Sequence, residues 1–180
     1  EFVLHFCPKI AVYTNLSPDH LDRHGTMDEY VNMKLEMVKN MGDDGYIVFN
    51  ADDPQLIIAV EGTDAKLVPF SMIRTGLTYS IDSKNINTLT GNPLMSVDDI
   101  TLPGKHNLSN MLGAATSSSL MGISDKHIAN VMKTFTGVEH RLENVAIIKN
   151  ITYINDSKAT NLDSVSVAIQ SFNKPVVLIL

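Results

Sequence analysis

The chain has one cysteine, Cys7, in 180 residues. A single thiol excludes an internal disulfide framework and fits a reducing cytoplasm. The expected role of Cys7 itself is that of a small buried hydrophobe. Basic residues are also scarce. Lys and Arg number 14 against 20 Asp and Glu, giving a net charge of −6. With no basic run either, the balance argues against a nucleic-acid-binding protein. No apolar run reaches the roughly 20 residues that cross a bilayer, and no secretory signal pattern is read. Internal repeats and low-complexity segments are missing too. What remains, 44% apolar and 19% charged residues, is the make-up of a globular chain. The length suits one domain, or one domain and part of a second. The chain opens without Met and stops on Pro175–Leu180, which reads as a core strand, so a piece of a longer protein is expected.

The stretch richest in chemistry runs from Thr14 to Lys34. Before it, Pro8 to Asn15 is a short apolar run closed by polar residues and Ser17-Pro18, the pattern of a buried strand in a parallel sheet. After it, Thr26 and Glu29 have capping-box spacing, so a helix is expected to start at Thr26. Met27, Val31, Leu35 and Val38 form its apolar stripe. Lys34 falls inside that stripe. Either it snorkels outward, or it is recruited to a site at the strand end, where ligands of open α/β sheets sit. Asp19-His20-Leu21-Asp22 and His24 occupy that strand end, as a solvated loop or as metal ligands. Leu21 follows His20 where a zinc hydrolase would carry Glu, which removes that class. A hard cation such as Mg²⁺ takes oxygen ligands and phosphates, with histidine as an accessory.

Downstream, Gly42–Gly45 reads as a turn, Tyr46–Asn50 as a core strand, Gln55–Val60 as a short helix and Lys66–Phe70 as a strand. Between 77 and 100, three short segments read as small antiparallel strands. A helix is expected from about His106 to Gly122, burying Leu108, Met111, Leu112 and Ala115. Asn107 and Asn110 share a neighbouring face. They are poor helix formers, present either as caps or as amides aimed at a ligand near the positive helix end. Ser124–Thr134 reads as a helix with Ile128, Val131 and Met132 inward.

Phe135–Glu143 breaks the pattern and reads as a hinge. Arg141 in it is a surface residue or a phosphate grip. Strands are expected at 144–148 and 152–155, then a polar loop, Asp156–Thr160, that suits a phosphate or sugar contact or a solvated turn. A helix from Asn161 to Phe172, with Leu162, Val165, Ile169 and Phe172 inward, leads to the last strand in a right-handed βαβ unit.

Four blocks together resemble the Mur ligase family: Thr14–His24, Tyr30-x-x-x-Lys34, Leu102–Asn110, and His140–Glu143 with Asn155–Asn161. The last block resembles the D-glutamate-adding members and speaks against sister Mur or folylpolyglutamate-type ligases. The resemblance implies an α/β fold, with a central ATP-binding domain over 1–139 and the start of a Rossmann-like C-terminal domain over 140–180. It implies ATP and Mg²⁺ as cofactors, and UDP-N-acetylmuramoyl-L-alanine and D-glutamate as substrates joined through an acyl phosphate. By the same match, His20 is a magnesium ligand and Lys34 a carbamate that also holds the metal. Asn107 and Asn110 look like adenine-side contacts, Arg141 like a phosphate contact, Asp156 and Lys158 like nucleotide contacts. Thr160 is similar to a residue near the incoming glutamate. The family's Gly-Lys-Thr-Thr phosphate loop is absent from the 180 residues. Glu1 looks too close to His20 to be the upstream acidic metal ligand. The chain alone is therefore expected to be inactive, and a non-catalytic nucleotide-binding module is the alternative.

Overall fold

The computed structural model describes residues 4–17, 25–102 and 104–179. Its first sheet is parallel, in the order β1-β2-β3, with β1 at Ile10–Tyr13, β2 at Tyr46–Asn50 and β3 at Lys66–Phe70. Helix α1, Met27–Leu35, connects the first pair, and α2, Pro54–Val60, the second. The capping box is present. Thr26 accepts from Glu29 N, and the Glu29 carboxylate accepts from Thr26 N.

Side chains alternate between the two faces of the sheet, as pleating requires. Ala11, Tyr13, Ile47 and Phe49 enter one apolar cluster, with Tyr30, Leu56 and Val60 from the helices. Val48 and Phe70 enter the other, against α3, Lys105–Leu120, and α4, Asp125–Thr134. The second cluster also takes Tyr79, Ile86 and Met95 from a small antiparallel sheet. That sheet has the order β4-β5-β6, at Tyr79–Ile81, Asn85–Thr88 and Pro93–Ser96. The Tyr79 hydroxyl donates to Asp125 Oδ1 at 2.6 Å and so pins the sheet to α4.

Strands β7, Glu143–Ile148, and β8, Ile151–Asn155, form an antiparallel hairpin. Its two-residue turn puts Lys149 at φ 50° and Asn150 at φ 64°, the paired left-handed values of a type I′ turn. Helix α5 covers Leu162–Gln170.

Four expectations are corrected. Residues 175–179 form no strand among the described residues, so the βαβ unit is not closed. An apolar run becomes a strand only when a ladder partner lies beside it. Leu162 and Ile169 of α5 are exposed, because nothing described covers that face, while Val165 and Phe172 are half-buried. Val131 is exposed as well, lying off the face on which Ile128 and Met132 are buried. Cys7 is exposed, with Sγ donating to Asn40 O at 3.2 Å.

Two core positions on α3 give stability predictions. Thr116 is 1% exposed, and its hydroxyl finds no partner among the described residues. Thr116→Val keeps the shape and removes the unsatisfied oxygen, so it is expected to stabilise the fold by about 1 kcal/mol in denaturant unfolding. A Cβ on Gly113 would lie 3.0 and 3.1 Å from Cε1 and Cζ of the buried Phe70 ring. Gly113→Ala gains helix propensity of about 1 kcal/mol but must displace that ring, at about 1–3 kcal/mol. A net loss in the same assay is expected.

Candidate active site

The carboxyl edge of the parallel sheet is tied together by residues 50–53. The Asn50 Nδ2 donates to Thr14 O at 3.1 Å, reaching from the end of β2 to the end of β1. Asp53 Oδ2 accepts from Leu16 N at 2.8 Å, while its Oδ1 caps α2 by accepting from Gln55 N and Leu56 N. Asp52 reaches the other way, accepting from Met72 N at 2.6 Å and from the fully buried Ser71 hydroxyl.

Beside the β1 end lies an open hollow of about 590 Å³, lined by Thr14, Asn15, Leu16, Tyr30, Lys34 and Glu36 among others. Lys34 is exposed, which corrects its expected place on the inner face of the helix. It stands in the last turn of α1, just before the chain tightens into a 3-10 turn at Glu36–Val38. From there its Nζ lies 5.1 Å from the ring centroid of Tyr30, a cation over an aromatic face. Its main chain is held separately, because the Tyr13 hydroxyl donates to Lys34 O at 2.9 Å. Burial raises the Tyr13 hydroxyl to a pKa of about 12, so it is a proton donor at any physiological pH.

Asp19, His20, Asp22 and His24 lie outside the described residues. Among the described residues no three of histidine, cysteine, aspartate and glutamate are grouped to hold a metal ion. The hollow does offer oxygen donors, on Thr14, Asn15 and Glu36, which is the chemistry a hard divalent cation takes. Lys34 as an ammonium adds no donor to that set.

A second cluster forms around the start of α3. Gly104, the residue before it, has φ +94°, and a Cβ there would meet His106 and Ser171 Oγ at 2.7 Å. The start of α3 is therefore pressed against the end of α5. Asn107 and Asn110 in its first turns are half-buried. Opposite, the 140–142 turn holds His140 and Leu142 in left-handed backbone, at φ 67° and 48°. Asp156 Oδ1 accepts from Leu142 N at 3.0 Å, and Lys158 N donates to His140 O at 3.1 Å. The Asn155 amide adds a bond to Glu143 Oε2 at 3.1 Å. The blocks at 140–143 and 155–158 are thus clasped into one unit. Arg141, Lys158 and Thr160 are exposed.

His106 was not singled out in the sequence, although it lies within the 102–110 block. Burial and then the Arg141 guanidinium pull its pKa below the usual 6.5, while Asp156 pulls it back up. The three groups therefore share one electrostatic neighbourhood, which joins α3 to the 140–158 clasp. The signal that could have found it is its position between Gly104 and Asn107 in a helix's first turn.

The comparisons agree with this architecture. Residues 3–118 match the Mur ligase middle domain. The chain is 41% identical over 172 residues to the UDP-N-acetylmuramoylalanine--D-glutamate ligase of Latilactobacillus sakei, covering 96% of this chain and 38% of that protein. The protein of the same name from Caldanaerobacter subterraneus is 41% identical over 179 residues, covering 99% and 40%. The chain thus spans about two fifths of the length of these curated relatives. Among solved structures, MurF from Acinetobacter baumannii superposes with a TM-score of 0.75 at 19% identity, over 91% of this chain and 37% of that one. UDP-N-acetylmuramate-alanine ligase MurC from Thermotoga maritima gives 0.69 at 21%, over 92% and 38%. At such identities the likeness is one of fold. The middle-domain match takes in the parallel sheet, the small antiparallel sheet and most of α3, and on that match this chain belongs to the Mur ligase family.

Proposed function

We propose that the chain is part of an ATP-dependent, ADP-forming ligase of peptidoglycan precursor synthesis that joins D-glutamate to UDP-N-acetylmuramoyl-L-alanine in the cytoplasm. The observation that carries the reading is the reach of the match. The alignment with a relative named for that activity, 41% identical overall, spans 99% of the chain and so runs past residue 118 and across the 140–143 and 155–161 segments. The fold alone does not discriminate, since MurC and MurF share it. No helix among the described residues is long and apolar enough to cross a membrane.

In this reading, residues 1–139 belong to the central ATP-binding domain and 140–180 open the C-terminal one. A substrate carboxylate oxygen attacks the γ-phosphorus of ATP and ADP leaves. The D-glutamate amine then attacks the acyl carbon, loses a proton, and inorganic phosphate leaves with the former carboxylate oxygen. The acyl phosphate supplies the leaving group that a bare carboxylate lacks. Lys34 and His20 would hold Mg²⁺, Lys34 as its carbamate, whose oxygens supply the metal-binding donor that an ammonium lacks. A cation held there would neutralise charge on the transferred phosphoryl group. Exposure of Lys34 at the strand-end hollow supports this, because the amine must meet dissolved CO₂ to be modified. Asn107 and Asn110 take the adenine side, and Arg141 grips phosphate from the clasped turn. Asp156 and Lys158 contact the nucleotide, and Thr160 lies near the incoming glutamate. With no Gly-Lys-Thr-Thr loop in its sequence, the 180-residue chain by itself does not turn over.

In the full-length protein, Lys34→Ala is expected to lower turnover about a hundredfold or more. Bicarbonate does not restore it, and a short carboxylate restores part. Unchanged turnover would remove Lys34 from the site.

The second cluster predicts a pH effect. His106 binds its proton less readily folded than unfolded, so its contribution to stability is complete above about pH 6.5 and is lost as pH falls through the folded value. The melting temperature is expected to drop over that window, and to drop less in His106→Gln.

A further inference from the structure

We infer that Asp53 is a positioning residue for the Lys34 hollow, a role that rests on the function proposed above. The plain alternative is that Asp53 only caps α2. Capping does not account for what its carboxylate does. The cap uses one oxygen, Oδ1, which accepts from Gln55 N at 2.9 Å and Leu56 N at 3.4 Å. Serine, threonine or asparagine would serve there about as well. The second oxygen, Oδ2, leaves its own loop and accepts from Leu16 N, 37 positions away in sequence, at 2.8 Å. Only a carboxylate can accept through both ends at once.

The amide it holds sits in the wall of the hollow. Thr14, Asn15 and Leu16 line it, facing Tyr30, Lys34 and Glu36 of α1 and the turn that follows. Leu16 is 6% exposed, its side chain anchored in the core, so fixing its N–H fixes the segment on both sides. A second tie grips the same segment from the same loop. Asn50 Nδ2 donates to Thr14 O, while Asn50 Oδ1 accepts from Asp52 N at 3.0 Å. Across the hollow, the Tyr13 hydroxyl holds Lys34 O. The wall carrying the oxygen donors and the wall carrying the lysine are therefore set by separate ties. Asp53 is one of the two side chains that set the first of them.

Substitution can separate the two duties. Asp53→Asn keeps an oxygen for the cap but turns an NH₂ toward Leu16 N–H, donor against donor. Asp53→Ser keeps the cap and leaves Leu16 N–H without a partner. In the full-length protein, both are expected to fold and to melt a few degrees below wild type, the cost of an unpartnered buried N–H. In both, amide hydrogen exchange across 14–17 quickens, and the Mg²⁺ concentration for half-maximal turnover rises about tenfold. The KM for D-glutamate stays near wild type. If exchange at 14–17 and the Mg²⁺ requirement are unchanged in a folded variant, Asp53 is a cap and nothing more. If Asp53→Asn does not fold, Asp53→Ser decides on the same two readings. A wild-type full-length protein that ligates no D-glutamate overturns the proposed function and this role with it. An active wild type with indifferent variants overturns this role alone.

Discussion

A parallel sheet brings all its strands to an end on one edge. There, backbone amides and carbonyls that the ladder no longer serves must still find partners. In this chain the run 50–53 meets that need for all three strands. Asn50 and Asp53 reach back to the end of β1, and Asp52 reaches forward to the end of β3. Without these bonds the strand-end loops would be separate peptides with buried, unsatisfied groups. With them the edge is one piece, a firm base of the kind that precise sites need.

Much of the frame was legible in the sequence. Strands β2 and β3 were readable to the residue, because short apolar runs with turn-forming residues nearby, Gly45 and Asp52 for β2, Asp64 and Ser71 for β3, have few alternatives. The start of α1 followed from Thr26 and Glu29, whose reciprocal bonds are local and need no tertiary context. Features set by what lies alongside were not legible. Periodicity marks a stripe on α5 but cannot say what covers it, and Leu162 is left 88% exposed. Pro175–Ile179 has the composition of a strand without a ladder. A helical wheel puts Lys34 among apolar residues, yet the side chain is exposed, its Nζ 5.1 Å from the ring of Tyr30 one turn earlier on the same helix.

The site was legible as a set of blocks rather than as an arrangement. The 140–143 and 155–161 segments were paired by the family resemblance, but not by any contact the sequence could show. Their clasp, through Asp156 to Leu142 N and Lys158 N to His140 O, depends on two left-handed residues that no local pattern announces. His106 was passed over for the same reason, since its character comes from burial and from Arg141 and Asp156, far away in sequence. Nothing local marked the ties of Asn50, Asp52 and Asp53, whose partners lie 36, 20 and 37 positions away. Polar residues at a strand end invite a ligand reading, and here they bind the protein's own backbone.

The bond from the Tyr13 hydroxyl to the carbonyl of Lys34 separates main chain from side chain at that residue. The helix end is moored to β1, and the amine beyond it stays in contact with solvent. In the proposed role, a lysine held this way would take up or lose CO₂ with no rearrangement of the scaffold. The change from cation to metal-binding anion would then be a covalent event on one side chain, not a conformational step.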